Sequence, residues 1–458
     1  MSGIREYRPE EYGARPDGET LCTRAIQEAI DAAAAAGGGR VVLGGGVYVT
    51  GALFVKSKVE LCISREAELR GVVDESAYPA IRSRVAGIEM DWPAALINVI
   101  GQEDVVIGGG GKINGQGEYW WKKYWGTDRL GGMRKDYTAR GLRWAVDYDC
   151  GRPRNVLVHE SRRIRLEYLR LIRSPFWNVH ICYSEHVTVD RLDIRDNRGP
   201  STDGIDIDSS AHVLVENCYI DCNDDNLCLK SGRDADGLRV NRPTEHVVIR
   251  NCVTGRGGGI TIGSETSGGV RDVEIYNIRA ERTENGVRLK SARTRGGLIE
   301  DIRVHDIEMI DVPNPFSFQL NWNPSYSYAQ LPADWEGEVP AHWKVLAAPV
   351  IPEERGIPEF RNIEIRNVRV RSAGMIPPSH PGGKPPVSKA FDVGAYPEKP
   401  IRGIRWKDID IETHTSGSIT HARDWTMENV KVRTLDGQPA RLESCVNVQQ
   451  PEWGKIGE

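Results

Sequence analysis

Nine times between residues 161 and 434 the chain repeats one short phrase. A polar turn is followed by an apolar–x–apolar pair, a step that often carries Asn or Asp, and a second apolar pair. "SEHVTVDRLDIRD", "SAHVLVENCYIDC" and "TEHVVIRNCVTG" are three successive copies. A second set of strands interleaves with them: "VHICYS", "IDIDSS", "LCLKSG", "ITIGSE" and "VRLKSA". Aligned on their apolar pairs, these begin at Val179, Ile205, Leu227, Ile260 and Val287, at intervals of 26, 22, 33 and 27 residues. Period-2 alternation marks strands. A repeat of roughly 20–30 residues built from strands alone marks a solenoid. Leucine-rich repeats would show L-x-x-L-x-L with helical segments, and propeller blades need about 40 residues each. Neither is present. The pattern fits an all-β, single-stranded, right-handed parallel β-helix.

One helix is expected. "TLCTRAIQEAIDAAAAAGGG" starts at a cap near Thr20, places Ala25, Ile26, Ala29, Ile30 and Ala33 on one face and stops at Gly37–Gly39. Within a cap region of about residues 1–60 it would cover the open end of the stack, where an unpaired edge invites aggregation. After it strong helical periodicity disappears, and the repeat reads as all strand and no helix. Residues 1–458 read as one domain, without a Pro/Ser-rich linker. Two segments, 118–150 and 312–358, break the repeat and are rich in Trp, Tyr and Arg or Pro. Both are expected to be loop insertions, which on a solenoid lie on one face and often bind ligand.

Composition narrows the function. The 458 residues carry a net charge of −5, so there is no basic field for nucleic acid. No apolar run reaches the length of a membrane span. The start, "MSGIREYRPEEYGARPDG", lacks the features of a signal peptide. Nine cysteines without paired C-x-x-C spacings argue for buried free thiols rather than a metal site. Together these suggest a cytoplasmic protein. "GGGGKING" fails as a phosphate loop because Ile113 follows Lys112 where Ser or Thr is needed.

Stacking the repeats brings chemistry together. In a β-helix, equivalent residues of successive coils lie about 4.8 Å apart. The alignment sets Asp203-Gly204-Ile205-Asp206-Ile207-Asp208 under Asp225-Asn226-Leu227-Cys228-Leu229-Lys230. Gly258 to Gly263 and then Asn285 to Lys290 follow. The apolar members point inward; Asp206, Asp208, Lys230, Arg288 and Lys290 are expected on an outer surface. Asp203 and Asp225 become stacked neighbours with Asp224 beside them. Three carboxylates so close cannot all ionise cheaply, so a proton donor is left beside proton acceptors. Glycoside hydrolysis needs such a pair. Arg288 and Lys290 supply positive charge on the same face, and Arg can grip a carboxylate with two parallel hydrogen bonds. Aspartates are also common turn residues. Asp206 and Asp208 are therefore read as structural, with Lys230 as a candidate partner.

"STDGIDI", "CNDDNLCLKSG", "GITIGSETSGG" and "VRLKS" resemble, in order and spacing, the signature blocks of glycoside hydrolase family 28, the polygalacturonase family. Those blocks read roughly N-T-D, D-D, G-H-G and R-I-K. The segment from Tyr12 to Gly51 resembles the N-terminal cap of these pectin-active β-helices, and the likeness covers roughly residues 7–435. The resemblance implies an inverting hydrolase of galacturonic-acid linkages that needs no metal or cofactor. It implies Asp224 as general acid, Asp203 and Asp225 as the groups that activate water, and Arg288 and Lys290 as ligands of the substrate carboxylate. Arg256 and the loop aromatics Trp322 and Tyr326 are further candidates for substrate contact. The chain departs from the pattern at Ser201, where the family has Asn. It departs again at "GRGGG", Gly255 to Gly259, where Gly257 or Gly258 replaces the family's His. Rhamnogalacturonan-directed members also depart near the site.

The expected partner is thus a pectic oligosaccharide, cleaved from one end. A rhamnogalacturonan-type hydrolase is the alternative within the same chemistry. A calcium-dependent lyase or an epimerase on the same fold, and a carbohydrate-binding β-helix without catalysis, are the alternatives outside it.

Overall fold

The computed structural model describes residues 4–378 and 383–458, so the first three residues of the N-terminal segment lie outside the description. The chain forms two compact units. The first comprises residues up to Val85 together with Glu89–Asn223; the second comprises Ala86–Ile88 and Asp224–Glu458.

Both units are built from the rungs of a right-handed parallel β-helix. In the first, Leu53–Phe54, Ile97–Ile100, Val156–His159, Val179–Cys182 and Ile205–Asp208 pair in succession, all parallel. Val179 lies opposite Ile205, as their 26-residue spacing requires. In the second unit the series is Leu227–Lys230, Ile260–Ile262, Asn285–Lys290, Asn314–Gln319, Lys389–Gly394, Thr415–Thr420 and Arg441–Glu443. Leu227 lies opposite Ile260, and Ile260 opposite Val287. The expected register therefore holds within each unit. A second sheet of longer strands runs alongside in the second unit, from Thr244–Thr254 through Val270–Glu281 and Leu298–Ile310 to Ala422–Thr434.

The alternation decides what is buried. Leu227, Leu229, Ile260, Ile262, Val287, Leu289, Phe316 and Phe318 are all buried in the interior of the second unit. Each such side chain contributes roughly 1.5–3 kcal/mol relative to exposure. The Asn or Asp of the repeated step has a distinct job. Asn251, Asn277, Asp306, Asn367, Asp408 and Asn429 all adopt the left-handed conformation, with φ between 50° and 56°. Short polar side chains tolerate that region best. The bend turns the long strands at equivalent points, and the side chains form a ladder: Asn277 donates to Asn251 at 2.7 Å and Asn429 to Asp408 at 2.7 Å.

The helix spans Thr23–Ala35 and buries Ala25, Ile26, Ala29, Ile30 and Ala33, as its periodicity demands. Its start differs from expectation. Thr20 belongs to the strand Asp17–Leu21, which pairs with Gly46–Thr50, and the residue before the helix is Cys22. Sheet pairing wins over the local capping signal. The helix satisfies the exposed edge of the first rung: the Gln27 side chain donates to the Phe54 carbonyl and accepts from the Phe54 N–H, each at 2.9 Å.

The insertions are more ordered than loops. Residues 118–150 fold into the helices Glu118–Trp125, Gly132–Ala139 and Val146–Asp149, tied by a Tyr124–Asp147 hydrogen bond of 2.9 Å. Short helices also occur at Asp234–Val240, Pro324–Ser327 and Ala341–Leu346, so the expectation of no helix after the first is corrected. Strand Asn314–Gln319 is a rung of the stack, so the second insertion begins at about Leu320 rather than at 312. Its phenylalanines face the core, and flanking prolines mask the alternation in the sequence.

All nine cysteines are free thiols, seven of them buried. Among the described residues no helix is long and apolar enough to cross a membrane. The glycines of "GGGGKING" form the turn between Glu103–Gly108 and Lys112–Asn114, and Lys112 pairs with Glu68 at 2.6 Å.

Candidate functional site

In the second unit the turn before strand Leu227–Lys230 carries Asp224 and Asp225. The two adjacent aspartates have unlike surroundings. Asp225 is 1% exposed and accepts from Thr261 Oγ1 at 2.8 Å, Lys290 Nζ at 2.6 Å and Arg288 Nη1 at 3.5 Å. The strands explain the convergence. Thr261 pairs with Arg288 in register, and Lys290 lies two residues further along the same strand, on the same face. Asp224 is half-buried, and one of its oxygens accepts from the Asp225 N–H at 2.9 Å.

The electrostatics follow. Burial alone would raise the pKa of Asp225, but the charges of Lys290, Arg288 and Lys230 outweigh it and hold that carboxyl well below the usual range. For Asp224, burial and then the neighbouring Asp225 charge push the pKa up against the same three cations. One carboxyl is thus held ionised while its sequence neighbour is biased towards its protonated form. That split suits acid–base work on a substrate.

Lys290 and Arg288 were expected on an open surface, free for substrate. Lys290 is 4% exposed and Arg288 keeps 17% of its side chain exposed. Trp322 covers both, its ring centre 4.4 Å from Lys290 Nζ and 5.5 Å from Arg288 Cζ. Tyr326 packs edge-on to Trp322 at 5.6 Å. It is itself buried, its hydroxyl donating to Glu265 at 3.2 Å. Arg256 is exposed, and its carbonyl accepts from the Asn226 side chain at 2.9 Å. Lys230, also expected outside, is buried 3.7 Å from Glu265. The outward positions of these rungs are therefore covered by Glu265 and by the insertion.

The "GRGGG" segment packs as bare backbone. Gly258 N–H donates to the Asp224 carbonyl at 2.8 Å, and Asn285 donates to the Gly258 carbonyl at 3.0 Å. A Cβ at Gly258 would lie 2.3 Å from Asp225 Oδ1, and one at Gly257 2.4 Å from Asn226 Oδ1. A histidine at either position would have to displace the Asp225 or Asn226 side chain.

In the first unit Asp203 precedes strand Ile205–Asp208 and is 2% exposed. Its carbonyl accepts from the N–H of Asn178 at 2.8 Å and from that residue's side chain at 3.0 Å. The turn that carries it is held from within: Thr202 Oγ1 donates to the Gly199 carbonyl at 2.8 Å, and Arg152 donates to the Pro200 carbonyl at 2.6 Å. Asp206 and Asp208 are fully buried rather than outward on a surface. Asp208 accepts from Arg84 at 2.9 Å and lies 3.4 Å from His180, whose pKa burial drives down to about 3. That is the structural role expected of it.

Sequence reasoning missed Thr261 and Glu265. Thr261 shares its column with Arg288, a usable signal. Glu265 sits past the end of its strand, and no periodicity marks it.

Unlike carboxyls of this kind are the tools of glycosidic-bond cleavage, and comparison with known proteins defines the class. The model of glycosyl hydrolases family 28 matches residues 84–331, more than half of the chain and all four sequence blocks. A probable polygalacturonase of Vitis vinifera is 31% identical over 419 residues, spanning 89% of this chain and 77% of the relative. An exo-poly-α-D-galacturonosidase of Dickeya chrysanthemi is 28% identical over 319 residues, 63% of this chain and 52% of its own length. Among solved structures, a hyperthermoactive exopolygalacturonase of Thermotoga maritima superposes with a TM-score of 0.73 at 26% identity, covering 94% of this chain and 92% of the other. The chain belongs to glycosyl hydrolases family 28 and is a glycoside hydrolase.

Proposed function

We propose that this enzyme hydrolyses galacturonic-acid-containing linkages in pectin-derived oligosaccharides, releasing sugar from one end with inversion. The observation that carries the reading is the opposed behaviour of Asp224 and Asp225. In this reading Asp224 protonates the leaving oxygen. Asp225, with Asp203, accepts the proton of the attacking water. Lys290 and Arg288 bind the sugar carboxylate, a role supported by their pairing with a carboxylate, Asp225, in the ligand-free chain. Trp322 walls the same subsite, Tyr326 supports it, and exposed Arg256 contacts the incoming sugar. End-on action is supported by the similarity to the Dickeya exo-poly-α-D-galacturonosidase and the Thermotoga exopolygalacturonase. A cytoplasmic setting is part of the proposal, the reading that goes with cysteines held as thiols rather than disulfides.

A time course on oligogalacturonates tests this. Monomer or dimer should accumulate from the first minutes, with no unsaturated product and no sensitivity to EDTA. Early appearance of mid-length oligomers refutes end-on action, and an unsaturated product refutes hydrolysis. One observation favours a second reading, a rhamnogalacturonan-type hydrolase: Gly257 and Gly258, packed against the Asn226 and Asp225 side chains, stand in place of the family's His. Preferential cleavage of rhamnose-containing oligosaccharides would select it.

A further inference from the structure

The segment that carries Trp322 has little structure of its own. It opens a long insertion, and the helix next to Trp322, Pro324–Ser327, is four residues long. Ordering such a segment costs conformational entropy residue by residue, so something must hold it. The holders are buried ions. Arg233, Asp234 and Arg295 are 0%, 4% and 0% exposed. Asp234 accepts from Arg233 at 3.0 Å, from Thr294 at 2.6 Å and from Arg295. Arg233 then donates to the carbonyls of Tyr326 and Ser327 at 2.9 and 3.0 Å, and Arg295 to that of Ser327 at 3.3 Å. The Arg233 guanidinium also lies 4.8 Å from the centre of the Tyr326 ring. Within the segment, Ser327 Oγ donates to the Trp322 carbonyl at 2.7 Å.

Buried ion clusters are a poor source of stability, because apolar packing would serve as well. What a buried arginine offers instead is a planar fork with donors at fixed angles. Here the forks grip two successive carbonyls of the aromatic segment. They are also tied to the rungs that carry the site. Arg233 follows strand Leu227–Lys230 by three residues, and Arg295 follows Asn285–Lys290 by five. We infer that Arg233, Asp234 and Arg295 form a positioning brace that fixes Trp322 over Lys290 and Arg288, and so sets the width of an acidic-sugar subsite. The inference deepens the proposed function and rests on its reading of the two cations.

The test uses the full chain in an Asp224→Asn background, so that trigalacturonate binds without turnover. Ser327→Ala removes one tie and is expected to fold normally; Arg295→Lys removes the fork. Hydrogen exchange is followed over residues 320–331, and trigalacturonate affinity is measured by calorimetry. Arg295→Lys, which takes the fork off the Ser327 carbonyl, should speed exchange over that segment about three- to tenfold, the factor expected from one lost hydrogen bond, while Ser327→Ala, which loosens only the tie inside the segment, is the comparison. Strand Asn285–Lys290 should stay protected. Affinity should fall by a similar factor, in the direction of Trp322→Ala. Unchanged exchange overturns the brace. Faster exchange with unchanged affinity overturns its link to the subsite. If trigalacturonate fails to bind the parent, the proposed substrate falls, while the exchange measurement alone still decides the brace.

Discussion

Lys290→Met probes the charge arrangement most directly. Lys290 Nζ lies 2.6 Å from Asp225 Oδ2, with both groups almost fully buried. At an effective dielectric of about 20, two unit charges at that 2.6 Å distance attract by roughly 6 kcal/mol, and Arg288 at 3.5 Å adds roughly 5. Methionine keeps the stem against Trp322 and removes only the charge. Asp225 retains Arg288 and Thr261, so the net loss of stability should fall near about 3 kcal/mol, the low end for breaking a buried pair. The pH dependence has a definite sign. The folded pKa of Asp225 is depressed, so its stabilising effect is present above its unfolded value, about 3.9, and is lost as pH falls through the folded value. In the variant that depression shrinks. The stability gap between the two proteins should therefore be widest near neutral pH and close on acidification. Lys290 also opposes the rise in Asp224, so both limbs of the kcat/KM profile should move to higher pH, by about one unit or more. Thermal unfolding across the acid range and pH–rate profiles on an oligogalacturonate measure both effects. A gap in Tm that does not vary with pH, together with unmoved limbs, would refute the charge arrangement as the cause of the carboxyl split.

Asp224→Asn should lower kcat by about 10²- to 10⁴-fold, the usual contribution of a general acid, with Tm unchanged or slightly raised; a wild-type rate of reducing-sugar release sinks the assignment. Gly258→Ala places a methyl 2.3 Å from Asp225 Oδ1 and should displace that carboxylate. It should cost about 1–3 kcal/mol in denaturant melts and most of the activity; an active variant of normal stability would show that the backbone there can give way. Asp208→Asn removes the carboxylate charge that pairs with buried Arg84 at 2.9 Å and should cost about 3–5 kcal/mol, seen as a lower urea midpoint; a midpoint like that of wild type would contradict the reading of Asp208 as a structural ion-pair partner.

The apolar columns were legible without coordinates because strand alternation is strictly local. Leu227, Ile260 and Val287 align in space as they do in the repeat. The buried face of the capping helix was equally clear, since a 3.6-residue period admits one solution. Its start was not. Asp17–Leu21 pairs with Gly46–Thr50, and no local signal at Thr20 reports that partner. The insertions were located by composition, but their helices and the rung Asn314–Gln319 were hidden by prolines and irregular spacing.

The sequence by itself determined the family, the parallel stacking and the identity of the charged residues, because repeats and spacing record which side chains share a column. The tertiary structure alone decided what those charges do. Lys230, Lys290, Asp206 and Asp208 sit at alternate positions that point away from the core, yet other parts of the chain cover them. Burial pushes both carboxyls up, and the direct contacts of Lys290 and Arg288 with Asp225 turn adjacent Asp224 and Asp225 into unlike acids. Desolvation and the few cations within reach are set by segments distant in the chain, such as Trp322 and Glu265, and no local pattern encodes those distances.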